Sequence, residues 1–226
     1  MTRLVIAGAG GHGREILTWV RSSPRFLGEH GIQHIAFIND VEPAKPLGAP
    51  LTGTIRDFIP NAEDLFICAI GDPVDRASVA LSLEARGARF VSFIHDDALI
   101  GPTVTHLRGL VVFPRVTVST DVRIGAHVHI NVASSVSHDV TIGDFATLSP
   151  GCTVTGGATI EEYTFLGAGA TVIPGRRVGP GATVGAQAAV VTDIAAGLVV
   201  VGVPARPLRE TAARTPCAQS DRGAGL

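Results

Sequence analysis

From Ile100 onward, every sixth position carries a large aliphatic side chain. The row runs Ile100, Val112, Val118, Ile124, Ile130, Val136, Ile142, Leu148, Val154, Ile160, Leu166, Val172, Val178, Val184 and Val190, and His106 alone breaks it. A second row lies two residues earlier and is small or short: Val104, Val116, Val122, Val128, Ser134, Val140, Ala146, Cys152, Ala158, Ala170, Ala182 and Ala188, with Arg176 the exception. Glycines come directly after many of the large aliphatics, at Gly101, Gly125, Gly143, Gly167, Gly179 and Gly185. Period six fits neither an amphipathic helix nor a long alternating strand. It fits a coil of three short strands and three turns, with one large aliphatic pointing inward per strand. The small residues suit the corners of a triangular prism, and the glycines are expected to supply turn conformations that a Cβ disfavours. Coils of about eighteen residues, stacked about 4.8 Å apart, would give roughly six turns between residues 98 and 205.

Residues 1–97 have another rhythm. Arg3–Ala7 reads as a buried strand, Gly8–Gly13 as a glycine turn and Arg14–Val20 as a helix. His34–Ile38 and Asp64–Ile70 read as further strands, Ala77–Arg86 as a helix and Phe90–Ile94 as one more short strand. Strand, turn, helix and strand again is the order of a small Rossmann-like parallel α/β domain, which binds ligands at the carboxyl ends of its strands. The predicted organisation is therefore an α/β domain over 1–97, a parallel β-helix over 98–206 and a polar tail over 207–226. The tail is expected to be disordered beyond a short helix.

Composition narrows the field. Hydrophobic residues make up 46% of the chain and charged residues 17%, which excludes a disordered protein. A net charge of −2 offers no basic stripe for nucleic acid. Cys68, Cys152 and Cys217 form no CxxC pair, the first two lie in apolar runs as small core residues, and no metal site is expected. No apolar run reaches the ~20 residues of a membrane helix, and the start is too short for a signal peptide, so a cytoplasmic protein is expected.

Gly8, Gly10 and Gly13 satisfy G-x-G-x-x-G between a strand and a helix, and Asp40 ends the next strand. Bare amides at such a helix start receive phosphate. The repeated [LIV]-G-x-x-x-x pattern resembles the hexapeptide acyltransferases, which implies a left-handed β-helix, an exception to the right-handed crossover rule. With Gly10-Gly-His-Gly-Arg-Glu15, Phe37-Ile-Asn-Asp40, Ala69-Ile-Gly-Asp72 and Phe93-Ile-His-Asp96, the chain from Leu4 to about Arg206 resembles one subfamily. These are the bacterial nucleotide-sugar acetyltransferases of the sialic-acid O-acetyltransferase and amino-sugar N-acetyltransferase type. The resemblance implies acetyl-CoA as co-substrate and a homotrimer with active sites between subunits. Gly11, His12 and Gly13 would receive the substrate's phosphates, Asn39 and Asp40 would face its nucleoside, and Gly71 and Asp72 would line the same cleft. Asp72 also reads as a helix N-cap. Asn131 would contact the sugar, and Thr147, Gly156, Ala168 and Ala186 would line the acetyl-CoA groove. Thr147 stands where some relatives carry a second histidine.

Eight histidines compete for the role of base. His138 comes just after Val136 and Ser137 at a prism corner, and His138-Asp139 resembles the family's His-Glu or His-Asp dipeptide, in which the histidine is the catalytic base. An amine or hydroxyl must lose a proton as it attacks a thioester, and imidazole chemistry suits that task near neutral pH. Asp139 would hold the other ring nitrogen and fix the tautomer; a solvated turn residue is its alternative reading. The leading function is N-acetylation of a nucleotide-linked amino-deoxy sugar. O-acetylation of a sugar hydroxyl, a non-catalytic trimeric nucleotide-binding module and an NAD-dependent oxidoreductase remain as alternatives.

Overall fold

A computed structural model of the chain describes residues 1–210. Four parallel strands, β1 (Thr2–Ala7), β2 (Ile32–Ile38), β3 (Asp64–Cys68) and β4 (Arg89–Phe90), make one sheet in the order β2-β1-β3-β4. Alternation along β1 sends Leu4 and Ile6 to one face and Val5 and Ala7 to the other. The first face packs Ile16, Leu17 and Val20 of α1 (Gly11–Arg21) and Phe26 of α2 (Pro24–Glu29). The second packs Ala77, Ala80 and Leu83 of α3 (Pro73–Ala85). The sequence pattern misses α2, although Ser23-Pro24 places proline at its first turn, where the missing N–H costs nothing. The single strand expected at Phe90–Ile94 is two: Arg89–Phe90 closes the sheet, and Phe93–Ile94 pairs with Val111–Val112 as the first rung of the β-helix.

The β-helix is left-handed. Its strands up to Ala189–Val190 are two residues long and, as far as that strand, pair in parallel with the strand eighteen residues on, as Val136 does with Val154. Its first face holds six strands, from Leu99–Ile100 to Ala189–Val190, and its second holds five, from Thr105–His106 to Arg177–Val178. The third holds eight, counting the closing antiparallel pair Leu198–Val201 and Arg206–Glu210. Both rows read from the sequence point inward, and nearly all their members from Val112 to Val190 are buried to the last few per cent. Each fully buried Val, Ile or Leu contributes about 1.5–3 kcal/mol. His106 is exposed because its strand is the end strand of the second face, with no coil beneath it.

Two expectations need correction. Gly101, Gly125, Gly143, Gly167, Gly179 and Gly185 do not adopt left-handed backbone. They are small because coils nearly touch there: a Cβ on Gly143 would lie 2.5 Å from the Glu162 nitrogen. The left-handed conformation falls three residues after the aliphatics from Val112 to Val184 instead, and Asp121, His127, Asp139, Phe145, Tyr163 and Gln187 hold it as well as glycines. The short helix expected at the start of the tail, from Arg209, is corrected only at Arg209 and Glu210, which belong to the strand Arg206–Glu210 paired with Leu198–Val201; its remainder lies outside the described residues. The disorder expected beyond it concerns residues outside those described. Among the described residues no helix is long and apolar enough to cross a membrane.

Candidate active site

β1 ends at Ala7, and the chain turns through Gly8 into α1 so closely that a Cβ on Gly13 would sit 2.0 Å from the Gly8 carbonyl oxygen. Only glycine lets the helix start this near the strand. Gly10 is the N-cap of α1 and no side chain caps the helix, so its first amides face a cleft of about 590 Å3. The neighbouring helix α3 differs: Asp72 Oδ1 accepts from the Val74 and Asp75 amides, 2.9 and 3.0 Å away. Of two helices starting at the same sheet edge, one has its first amides engaged and one presents them.

Gly11, His12, Asn39 and Gly71 line this cleft. Gly13 is buried beneath it. Asp40 turns away, its Oδ1 accepting from the Arg56 amide at 3.0 Å, and Asp72 is occupied as the cap of α3. The Asn39 amide is used within the chain: Oδ1 accepts from the Ala9 amide at 3.0 Å, and Nδ2 donates to the Val41 carbonyl at 2.5 Å. Its side chain thus ties the glycine turn to the loop that walls the cleft. Arg14 and Lys45, the chain's one lysine, also line the cleft, and sequence spacing does not single them out. Lys45 sits in an irregular proline-containing loop where spacing carries no signal.

His138 and Asp139 lie elsewhere, on the corner between the first and second faces of the β-helix. Asp139 adopts φ 59°, which aspartate tolerates better than most residues. Its Oδ2 accepts from His138 Nδ1 at 2.7 Å. The carboxylate can only accept, so the proton sits on Nδ1 and Nε2 carries the lone pair. The ring lies over the Cα of Gly156, one coil on, where a Cβ would stand 2.6 Å from Cε1 and 2.7 Å from Nε2. A Gly156→Ala variant should therefore push the ring aside, because the ring is mobile and the backbone is not. We expect kcat to fall at least about tenfold, with the thermal midpoint within about 2 °C of wild type. An unchanged kcat would show that the ring position over Gly156 is irrelevant.

The remaining expected residues fall on other parts of the prism. Asn131, Ala168 and Ala186 lie on the corner between the third and first faces, where Asn131 Nδ2 donates to the Leu148 carbonyl at 2.8 Å. Thr147 is on the third face and buried, its hydroxyl accepting from Arg76 Nη2 at 2.8 Å. One chain therefore presents three separate groups: the cleft, the His138 corner and the Asn131 corner.

Arg76 is a further feature that the motifs do not single out. Its guanidinium is fully buried at the junction of α3 and the β-helix. Nε donates to the His127 carbonyl, Nη1 to those of Ile70 and Gly71, and Nη2 to those of Phe145 and Ala146 and to the Thr147 hydroxyl, at 2.6–3.2 Å. No carboxylate is among these six acceptors. Burial pushes its pKa down to about 10, which leaves it charged at neutral pH. The available signal is a lone charge in the apolar stripe Pro73, Ala77, Ala80 and Leu83. Beside it Glu84 accepts from Arg108 and pairs with His127 Nε2, and His127, Phe145 and Tyr163 stack one per coil. Cys68 and Cys152 are buried as expected, and burial pushes their thiols up to about 12 and about 11.

A small parallel α/β unit with an open helix start, continuing into a hexapeptide β-helix with a corner histidine–aspartate pair, defines a hexapeptide-repeat acyltransferase. Residues 3–83 match the family described as the PglD N-terminal domain. No curated protein sequence matches the chain. Among solved structures, the acetyltransferase domain of PglB from Neisseria gonorrhoeae FA1090 is 30% identical with a TM-score of 0.85, over 92% of this chain and 100% of that one. WeeI from Acinetobacter baumannii AYE is 29% identical with a TM-score of 0.83, over 92% and 100%. PerB from Caulobacter crescentus, in complex with CoA and GDP-perosamine, is 30% identical with a TM-score of 0.81, over 92% and 97%. The chain belongs to the family of hexapeptide-repeat nucleotide-sugar acetyltransferases that carry a PglD N-terminal domain.

Proposed function

We propose that this protein transfers the acetyl group of acetyl-CoA to the amino group of a nucleotide-linked amino-deoxy sugar. The observation that carries this reading is the His138–Asp139 pair, with Nδ1 engaged at 2.7 Å and Nε2 free to accept a proton. The amine nitrogen attacks the thioester carbonyl carbon and His138 Nε2 takes the amine proton. The C–S bond then breaks, and the proton passes to the departing CoA sulfur. No enzyme nucleophile is needed, since positioning of two substrates supplies much of the rate. Solved relatives hold acetyl coenzyme A in one case, and CoA with GDP-perosamine in another.

The nucleotide moiety belongs in the cleft at Gly11, His12, Asn39 and Gly71, with its phosphates at the uncapped start of α1. Because the cleft and the His138 corner lie on different parts of one chain, the working site is an assembly. One subunit supplies His138, Asp139 and Gly156, and a neighbour supplies the cleft with the corner of Asn131, Ala168 and Ala186. A cytoplasmic homotrimer, in which each groove between prisms is such a site, satisfies this arrangement. Its N-acetylated product would serve polysaccharide biosynthesis.

A thiol-release assay with acetyl-CoA and a panel of nucleotide-linked amino sugars and hydroxyl sugars tests the reading. We expect turnover only with an amino sugar. Turnover of hydroxyl sugars alone would replace N- by O-acetylation, and no turnover with either would overturn the acceptor assignment.

A further inference from the structure

His129 is fully buried in the wall of the β-helix, on a strand whose outer side is covered by α1. The proposed acetyl transfer does not use it. Its Nδ1 lies 3.0 Å from Nε2 of His12, the residue at the second position of α1. Its own Nε2 is buried, and the Cys68 backbone is the other polar group against the ring. Burial, and then the charge of Arg76, hold its pKa well below the usual histidine range, so the ring is neutral and carries one proton. A neutral imidazole has one donor and one acceptor, so across the 3.0 Å gap one of the two histidines donates and the other accepts.

The other side of His12 is also held. Its Nδ1 stands 3.9 Å from Glu15 Oε2, and the nearby His12 ring is the main cause that lowers the Glu15 carboxyl below its ordinary value. The ring further contacts that of Phe113, at 5.5 Å between centroids. Meanwhile α1 lacks any side-chain cap of its own, and Asn39 holds only the Ala9 amide of the turn before it. The imidazole–imidazole bond is the polar tie between that first turn and the rigid prism.

We propose that His129 is a positioning residue for the nucleotide cleft: through His12 it pins the first turn of α1 so that its open amides converge on the substrate's diphosphate. This rests on the reading of the cleft as the nucleotide-sugar site. His129 touches no substrate atom, and the reacting groups at His138 are independent of it.

The test compares wild type with His129→Leu, His129→Asn and His129→Gln, titrating UDP, GDP and acetyl-CoA separately by calorimetry. Asparagine places its amide near the Nδ1 position, glutamine places it near Nε2, and leucine has no polar group. We expect His129→Leu and His129→Gln to weaken binding of the preferred nucleoside diphosphate about tenfold. His129→Asn should stay within about threefold of wild type, and acetyl-CoA binding should be unchanged in all three. Should the leucine variant fail to fold, the asparagine–glutamine contrast decides. Equal losses in those two, unaltered nucleotide binding in the leucine variant, or a parallel loss of acetyl-CoA binding would each overturn the proposal. A wild type that binds neither UDP nor GDP would overturn the cleft assignment itself, and the inference with it.

Discussion

Replacing His138 by alanine is expected to lower kcat about 10²- to 10⁴-fold, with little change in KM for either substrate. The effect stems from the corner geometry. Asp139 Oδ2 accepts the Nδ1–H hydrogen bond at 2.7 Å, so the lost group is the one ring nitrogen able to accept a proton from the attacking amine. Because the side chain is largely exposed on a single chain, over Gly156, its removal leaves no cavity in the core. A drop in kcat with an unchanged thermal midpoint is therefore expected, and retained activity would end the proposed mechanism. Asp139→Asn should cost less: an amide can still bond Nδ1, but it can also donate, which lets the ring take the wrong tautomer.

The second large effect is on stability. Replacing Arg76 by methionine fills much of the same space but removes the donors for five carbonyls and the Thr147 hydroxyl. The His127 and Phe145 carbonyls and the Thr147 hydroxyl stay buried between α3 and the prism, where each unmet group is costly, whereas the Ala146 carbonyl keeps the His129 amide and the Ile70 and Gly71 carbonyls lie at the cleft wall. We expect a loss of about 3–5 kcal/mol and a fall in the thermal midpoint of about 10 °C. Lysine should not rescue it, since a compact ammonium cannot reach acceptors spread around a planar fork. A midpoint within about 2 °C of wild type would mean that the carbonyls find other partners. Since Ile70 and Gly71 belong to the cleft wall, the surviving folded fraction should also bind nucleotide less well.

Much of this molecule is legible from residue order, because its regularities are local and repeated. A period of six leaves one arrangement that buries both the large row and the small row, and the interior from Val112 to Val190 is as that period requires. The strand, glycine turn and helix at Arg3–Val20 are equally local: no other residue fits where Gly13 meets the Gly8 carbonyl. His138-Asp139 stands out because neighbours in sequence remain neighbours in space at a corner. Residue order misleads where the cause is not local. The glycines after the aliphatics look like turn residues, yet it is the distance to the next coil, set by stacking, that requires them.

Everything that depends on which outer face of the prism is covered had to wait for the tertiary structure. Alternation places His129 and Thr147 with outward-pointing side chains, and in an isolated prism both would be solvated. Only the docking of α1 and α3 against that face buries them, pairs His129 with His12 across 117 positions of chain, and closes Thr147 onto Arg76. The same docking leaves the His138 corner bare, because that corner is turned away from the α/β unit. Hydrophobic period fixes which side chains go inside a coil, since that choice concerns each coil and its neighbours. Which polar side chains meet across the junction is a matter of shape and hydrogen-bond complementarity between two separate bodies, and no spacing along the chain encodes it.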